Sequence, residues 1–150
     1  MDHLVARGLN CVAVLDVSGP ALARARARLG ELANRVSWIE ADVTGPWTAP
    51  KTDIWHDRAV FHFLAESEDR ARYVAHLRDV VAYGGTVIIG TFAPDGPERC
   101  SGLPVRRYDA AGIAAELGEG FTLVEALADA HRTPTGAVQS FIYSRFIRNP

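Results

Sequence analysis

Lysine is almost missing from this 150-residue chain: of 16 basic residues Lys51 is the only lysine, and the rest are arginines. Cysteine is scarce as well. Cys11 and Cys100 are too few for a disulfide framework and have no C-x-x-C spacing. Cys11 opens an apolar run and is expected in the core; Cys100 falls in a Gly/Pro loop. No segment approaches the roughly 20 continuous apolar residues of a membrane span, and Met1 to Gly8 lacks the basic-then-apolar order of a signal peptide. The chain therefore reads as cytoplasmic. An excess of one charge is lacking too: 18 acidic residues are interspersed with the 16 basic ones, for a net charge of −2. Without a basic patch, sequence-independent binding to a nucleic-acid backbone is not expected. Three nucleotide and nucleophile signatures are also absent, namely G-x-G-x-x-G, G-x-x-x-x-G-K and G-x-S-x-G.

What is present is a globular composition, 48% hydrophobic and 23% charged, on a chain of single-domain length. Asp2 to Arg7 has helical character and stops at Gly8. Cys11 to Asp16 is a continuous apolar run that suits a strand buried on both faces. Ser18-Gly19-Pro20 supplies an N-cap and a first-turn proline for a helix through Leu29, which Gly30 ends. Further strands are expected over Arg35 to Glu40, Asp53 to His56 and Thr86 to Phe92. A helix is expected from Ser67 to Ala82, with a tight turn at Gly84-Gly85. A long loop from Ala93 to Tyr108 leads to a helix that Asp109 caps and that runs through Leu117. Strands Phe121 to Leu127 and Val138 to Ile147 close the chain as a hairpin across a polar loop, Asp129 to Gly136. This order predicts a Rossmann-like three-layer α/β/α sandwich in one domain, residues 1–150, with a mostly parallel sheet and an antiparallel C-terminal strand.

Three predicted strands end in acids, Asp16, Asp42 and Asp57. In an open α/β sheet the carboxyl ends of the strands face the binding crevice. An acid after one strand can accept both hydroxyls of a ribose. An acid after its neighbour can accept an exocyclic amine, while the next backbone N–H, that of Val43, reaches a purine ring nitrogen. Together they make a recognition set for adenosine; the competing local role is that each aspartate closes its own turn.

With these motifs the chain resembles the class I S-adenosylmethionine-dependent methyltransferases. Val14-Leu15-Asp16-Val17-Ser18 is similar to the family's second-strand motif, Glu40-Ala41-Asp42-Val43 to its third and Asp53-Ile54-Trp55-His56-Asp57-Arg58 to its fourth. Tyr83-Gly84-Gly85-Thr86-Val87-Ile88 is similar to its Pro-Gly-Gly turn and fifth strand, with Tyr83 in place of proline. The Trp-x-Asp-Arg order is also similar to that of thiopurine-type and other small-molecule methyltransferases. The resemblance implies S-adenosylmethionine as cofactor, with Asp16 and Val17 at its ribose and Asp42 and Val43 at its adenine. His56, Asp57 and Arg58 are then the catalytic segment, His56 also lying near the methionine part of the cofactor. An unperturbed imidazole titrates at about 6.5, so His56 is the expected base where the acceptor must lose a proton. Asp57 would orient it or the acceptor, and Arg58 would hold an acidic group of the acceptor or pair with a carboxylate.

The family's first strand and glycine-rich loop would lie upstream of Met1, so the chain is expected to be an N-terminally truncated domain, with a true short form as the alternative. Strands that lose their shared neighbour would expose unpaired edges, which predicts self-association. The acceptor is expected to be a small molecule, with neither nucleic acid nor membrane as partner. His56, Asp57 and His62 do not make a metal site on this reading. Phe61, Phe63 and Phe92 are candidates for lining an acceptor pocket, and His131 and Arg132 are expected to face solvent. Two other functions compete: a non-catalytic remnant used for binding or assembly, and a nicotinamide-dependent oxidoreductase. The oxidoreductase is disfavoured by the missing glycine fingerprint and the absence of a Tyr-x-x-x-Lys pair.

Overall fold

A computed structural model describes residues 2–9 and 12–150; Cys11 and its expected core position lie outside the described residues. The chain divides into two compact units, residues 1–49 and 50–150.

The first unit opens with helix α1 (Asp2–Ala6), which buries Val5. Strands β1 (Val12–Asp16) and β2 (Val36–Glu40) pair in parallel, with Val14 opposite Trp38 and Asp16 opposite Glu40. Between them runs helix α2 (Gly19–Leu29), started as its sequence demands: the Ser18 hydroxyl accepts the Ala21 N–H at 3.2 Å, and proline occupies the first turn. Gly30, at φ +57, turns the chain into a 3-10 segment (Gly30–Arg35) that the sequence pattern does not announce. Among the described residues β1 has one strand neighbour, β2.

The second unit is a four-stranded sheet in the order β3-β4-β8-β7. Strand β3 (Thr52–Arg58) pairs in parallel with β4 (Val81–Phe92). The connection between them is helix α3 (Ser67–Val80). The antiparallel pair β7 (Phe121–Arg132) and β8 (Val138–Arg148) joins through β8 to β4. Helix α4 (Ala110–Leu117) is capped by the Asp109 carboxylate, which accepts the Gly112 N–H at 2.7 Å. A short hairpin, β5 (Arg99–Cys100) with β6 (Leu103–Pro104), forms within the long loop; it turns on Ser101 and Gly102, both at positive φ.

Strand alternation sorts this sheet into two faces. Val87, Ile89, Ser144 and Phe146 are buried on the face that meets α3 and α4, with Tyr73, Val74, Leu77, Ile113 and Leu117 completing that core. The other face carries Ile54, His56 and Arg58 from β3, Ile88 and Gly90 from β4, and Tyr143 and Arg145 from β8.

Two expectations are displaced. Gly84-Gly85 lies inside β4 and not in a turn before it: Gly84 takes φ +76, and a Cβ on Gly85 would stand 2.8 Å from the Ala82 carbonyl oxygen. The glycines absorb a shift of register between Thr52 and Ile54, so β4 begins at Val81 and α3 ends at Val80. At the hairpin β7 runs on to Arg132, and the turn shrinks to Thr133–Ala137, closed by the Thr133 N–H on the Ala137 carbonyl at 2.8 Å. These parallel pairings with a helix between them, followed by an antiparallel end, are those of a Rossmann-like α/β fold.

Candidate active site

In the first unit Asp16 ends β1. Its Oδ1 accepts the Ser18 N–H at 2.8 Å, closing the turn into α2; Oδ2 has no partner among the described residues. Asp42, two residues beyond β2, is exposed, and its Oδ1 accepts the Thr44 N–H at 2.8 Å and the Thr44 hydroxyl at 2.7 Å. Both acids therefore make the local turn bonds open to any aspartate at such a place, and Asp16 keeps a second oxygen in reserve. Val43 is buried, and its carbonyl accepts the Trp47 indole N–H at 3.1 Å. The Val43 N–H donates to no group among the described residues. Val17 is exposed.

In the second unit the segment expected to be catalytic alternates sharply: His56 and Arg58 are exposed, and Asp57 between them is 5% exposed. Both oxygens of Asp57 are committed. Oδ1 accepts the Val60 N–H at 2.9 Å, and Oδ2 accepts the Phe61 N–H at 3.0 Å and the Tyr73 hydroxyl at 2.7 Å. The Tyr73 oxygen in turn accepts the Trp55 indole N–H at 2.9 Å. Burial raises the Asp57 carboxyl above the usual carboxylate range, opposed by the bonds from Tyr73, Val60 and Phe61. Burial, reinforced by that carboxylate, holds Tyr73 protonated. Asp57 is thus built into the turn that ends β3 and not toward the face that carries His56. Ala59, at φ +66, completes the corner, with its N–H on the Gly90 carbonyl at 2.8 Å. A non-glycine residue in that region is strained, a feature that clusters at functional sites.

Arg58 crosses β4 above Gly90. Its Nε donates to the Tyr143 hydroxyl at 2.7 Å, and its guanidinium lies 5.2 Å from the centre of the Phe141 ring. Phe141 and Tyr143 stack at 6.0 Å, and His131 stands edge-on to Phe141 at 6.1 Å. His131 is therefore half-buried in an aromatic group, whereas Arg132 is exposed and donates to the Gly136 carbonyl. His56 makes no hydrogen bond to a described residue. His62 is fully buried; its Nδ1 accepts the Phe92 N–H at 3.4 Å, and burial lowers its pKa to about 4. Phe61 and Phe92 are core residues, and Phe63 packs edge-on against His62 at 4.7 Å. No cluster of His, Cys, Asp or Glu suited to a metal ion occurs among the described residues, and no helix there is long and apolar enough to cross a membrane.

Tyr143, Phe141 and Gly90 surround Arg58, and the sequence pattern does not single them out for that. The alternation of Phe141, Tyr143 and Arg145 along the last strand marks a common face, but only the register with β4 places that face under Arg58.

No curated protein matches the chain at significant sequence similarity. Solved structures share its fold. The N-methyltransferase NodS from Bradyrhizobium japonicum WM9 is 21% identical, with a TM-score of 0.73 over 92% of this chain and 73% of its own. An S-adenosylmethionine-dependent methyltransferase from Clostridium acetobutylicum reaches a TM-score of 0.76 at 11% identity, over 99% of this chain and 79% of its own. A Burkholderia thailandensis 1,6-didemethyltoxoflavin-N1-methyltransferase, solved with that substrate and S-adenosylhomocysteine, gives 0.71 at 20% identity over 93% and 62%. The family model described as "Methyltransferase domain" matches residues 1–89, a span that includes all four motifs. With more than half of its length so matched, the chain belongs to the methyltransferase-domain family, the class I S-adenosylmethionine-dependent enzymes that its strand-end motifs resemble.

Proposed function

We propose that this protein transfers the methyl group of S-adenosylmethionine to a small-molecule acceptor. One observation carries the cofactor half: at the ends of the paired strands β1 and β2, the Asp16 Oδ2 is an acceptor and the Val43 N–H a donor that no described residue uses. That is the donor and acceptor chemistry a ribose and an adenine ring require. Asp16 with Val17 takes the ribose, and Asp42 with Val43 takes the adenine. The family model runs through the boundary between residues 49 and 50, which supports reading residues 1–150 as a single methyltransferase domain.

When bound, the cofactor supplies a methyl group already activated by its sulfonium. The protein has therefore mainly to align the acceptor and keep its nucleophile unprotonated. His56, exposed and free of competing hydrogen bonds, accepts the acceptor's proton where one must leave. Arg58 is the anchoring group of the same face. Asp57 acts through the corner it locks, fixing where His56 and Arg58 emerge.

The small-molecule reading draws on the near-balance of charge, 16 basic against 18 acidic residues, and on neighbours such as the toxoflavin-precursor enzyme. A cytoplasmic location is proposed with it, in keeping with two cysteines that lack the spacing of a disulfide framework. Calorimetric titration with S-adenosylmethionine, S-adenosylhomocysteine and NADH tests the class. The two sulfur nucleosides are expected to bind and NADH is not; the reverse order would assign the strand-end acids to a dinucleotide.

A further inference from the structure

Arg58 is an arginine held in place with no anion to hold. Arg28, Arg70, Arg72, Arg107 and Arg145 each pair with a carboxylate. Among the described residues none pairs with Arg58, although its side chain is fixed at two points, the Tyr143 hydroxyl and the Phe141 ring. Glu125, on the neighbouring edge strand of the same face, is already tied to Arg145 at 3.0 Å. Because Nε is spent on Tyr143, the paired Nη groups are the edge left open, and a guanidinium presents such an edge to a planar carboxylate as two parallel donors. Beside it the half-buried Tyr143 ring lies over Gly90, while Phe141 is packed beneath the guanidinium and is itself buried. Gly90 makes this placement of Tyr143 possible: a Cβ there would lie 2.6 Å from the Tyr143 ring, so a larger residue lifts the tyrosine off the sheet and away from Arg58.

We propose that Arg58, positioned by Tyr143, is the seat for a carboxylate carried by the methyl acceptor, whose apolar part rests against the Tyr143 ring. The proposal rests on the methyl-transfer reading and names its substrate class. His56 stands two residues earlier on the same face of β3, opposite Ile88 where Arg58 is opposite Gly90. An acceptor tethered at Arg58 by its carboxylate therefore presents its nucleophilic group toward the imidazole. The cofactor has a carboxylate of its own, and the test must separate the two sources.

Benzoate is the probe, with benzamide as its neutral isostere, titrated into the full chain with and without S-adenosylhomocysteine. The readout is the NMR signal of the Arg58 Nε–H, assigned by its loss in Arg58→Gln. Benzoate is expected to shift this signal saturably, and benzamide to bind about tenfold more weakly or less, the loss of one charge-assisted pair. Arg58→Gln should lower benzoate affinity by a similar factor, followed by saturation-transfer NMR on the ligand, while leaving S-adenosylhomocysteine affinity and the unfolding midpoint unchanged. Tyr143→Phe and Gly90→Ala, which release Arg58 without removing it, should weaken benzoate several-fold. Equal binding of benzoate and benzamide, or an Arg58→Gln variant that binds benzoate normally, would overturn the proposal. So would a loss of S-adenosylhomocysteine affinity in Arg58→Gln, which would assign the seat to the cofactor. The benzoate arm without cofactor stands by itself, so failure of S-adenosylhomocysteine to bind overturns the methyl-transfer reading separately.

Discussion

Tyr73 joins two residues through one oxygen: it donates to Asp57 and accepts from Trp55, both on the covered side of the sheet. Replacing it with phenylalanine keeps the ring contacts with Phe61 and Trp55 but leaves the Asp57 carboxylate one bond short and the indole N–H without this acceptor. The expected cost is about 1–3 kcal/mol, the range for a hydrogen bond to a charged group, read from urea unfolding. His62 gives a second residue-scale prediction. Its pKa falls from 6.5 in the unfolded chain to about 4 in the fold, so between those values the unfolded state binds the extra proton. Stability is then lost as pH falls from 6.5 toward 4, on the order of 3 kcal/mol in all. Asp57, with its pKa raised, works in the opposite sense above the usual carboxylate range. The difference between wild type and His62→Gln across that pH window isolates the histidine: the variant should lack this part of the acid loss. The sequence marks Asp57 as a charged group after a strand. That its oxygens are consumed by Val60, Phe61 and Tyr73 is not legible there, because the tyrosine comes from a helix 16 residues on.

At the scale of elements, α3 and α4 are joined by an ion pair that neither helix announces alone. Arg70 is buried, its Nε lies 2.9 Å from the Glu116 carboxylate, and its Nη1 donates to the Leu64 and Ala65 carbonyls. It thus ties the chain before α3 to α4. Glu116→Ala leaves the guanidinium buried with carbonyl partners alone, an arrangement that costs about 3–5 kcal/mol when a buried pair is broken. Glu116 is itself partly exposed, so the lower end of that range is expected in thermal unfolding. Element type was largely readable from periodicity and caps: Ser18 and Asp109 start their helices as their residue types require. The misplaced boundaries share a cause. Gly84 and Gly85 signal a turn locally, but pairing of Val81 with Thr52 draws them into the strand, and the β7–β8 hairpin is likewise set by cross-strand pairing that local residue preference does not encode.

At the scale of the whole molecule, the family was legible because its motifs sit at strand ends, where side-chain type answers to ligand chemistry and not to packing. Asp16, Asp42 and His56 stand at such ends, and that is the ground on which they are proposed as site residues. The aromatic seat of Arg58 was not legible in this way, since Phe141 and Tyr143 meet it only through the β4–β8 register, more than 80 residues along the chain. The central claim is that the ends of β1 and β2 hold the nucleoside of S-adenosylmethionine. Titration of S-adenosylhomocysteine into wild type and Asp16→Asn by calorimetry tests it most directly. Asparagine retains an oxygen to accept the Ser18 N–H, so the turn survives, but it replaces the unused Oδ2 with a donor. Saturable binding by the wild type, weakened about tenfold or more in Asp16→Asn at an unchanged unfolding midpoint, is the predicted result; equal affinity of the two proteins, or no binding by the wild type, would contradict it.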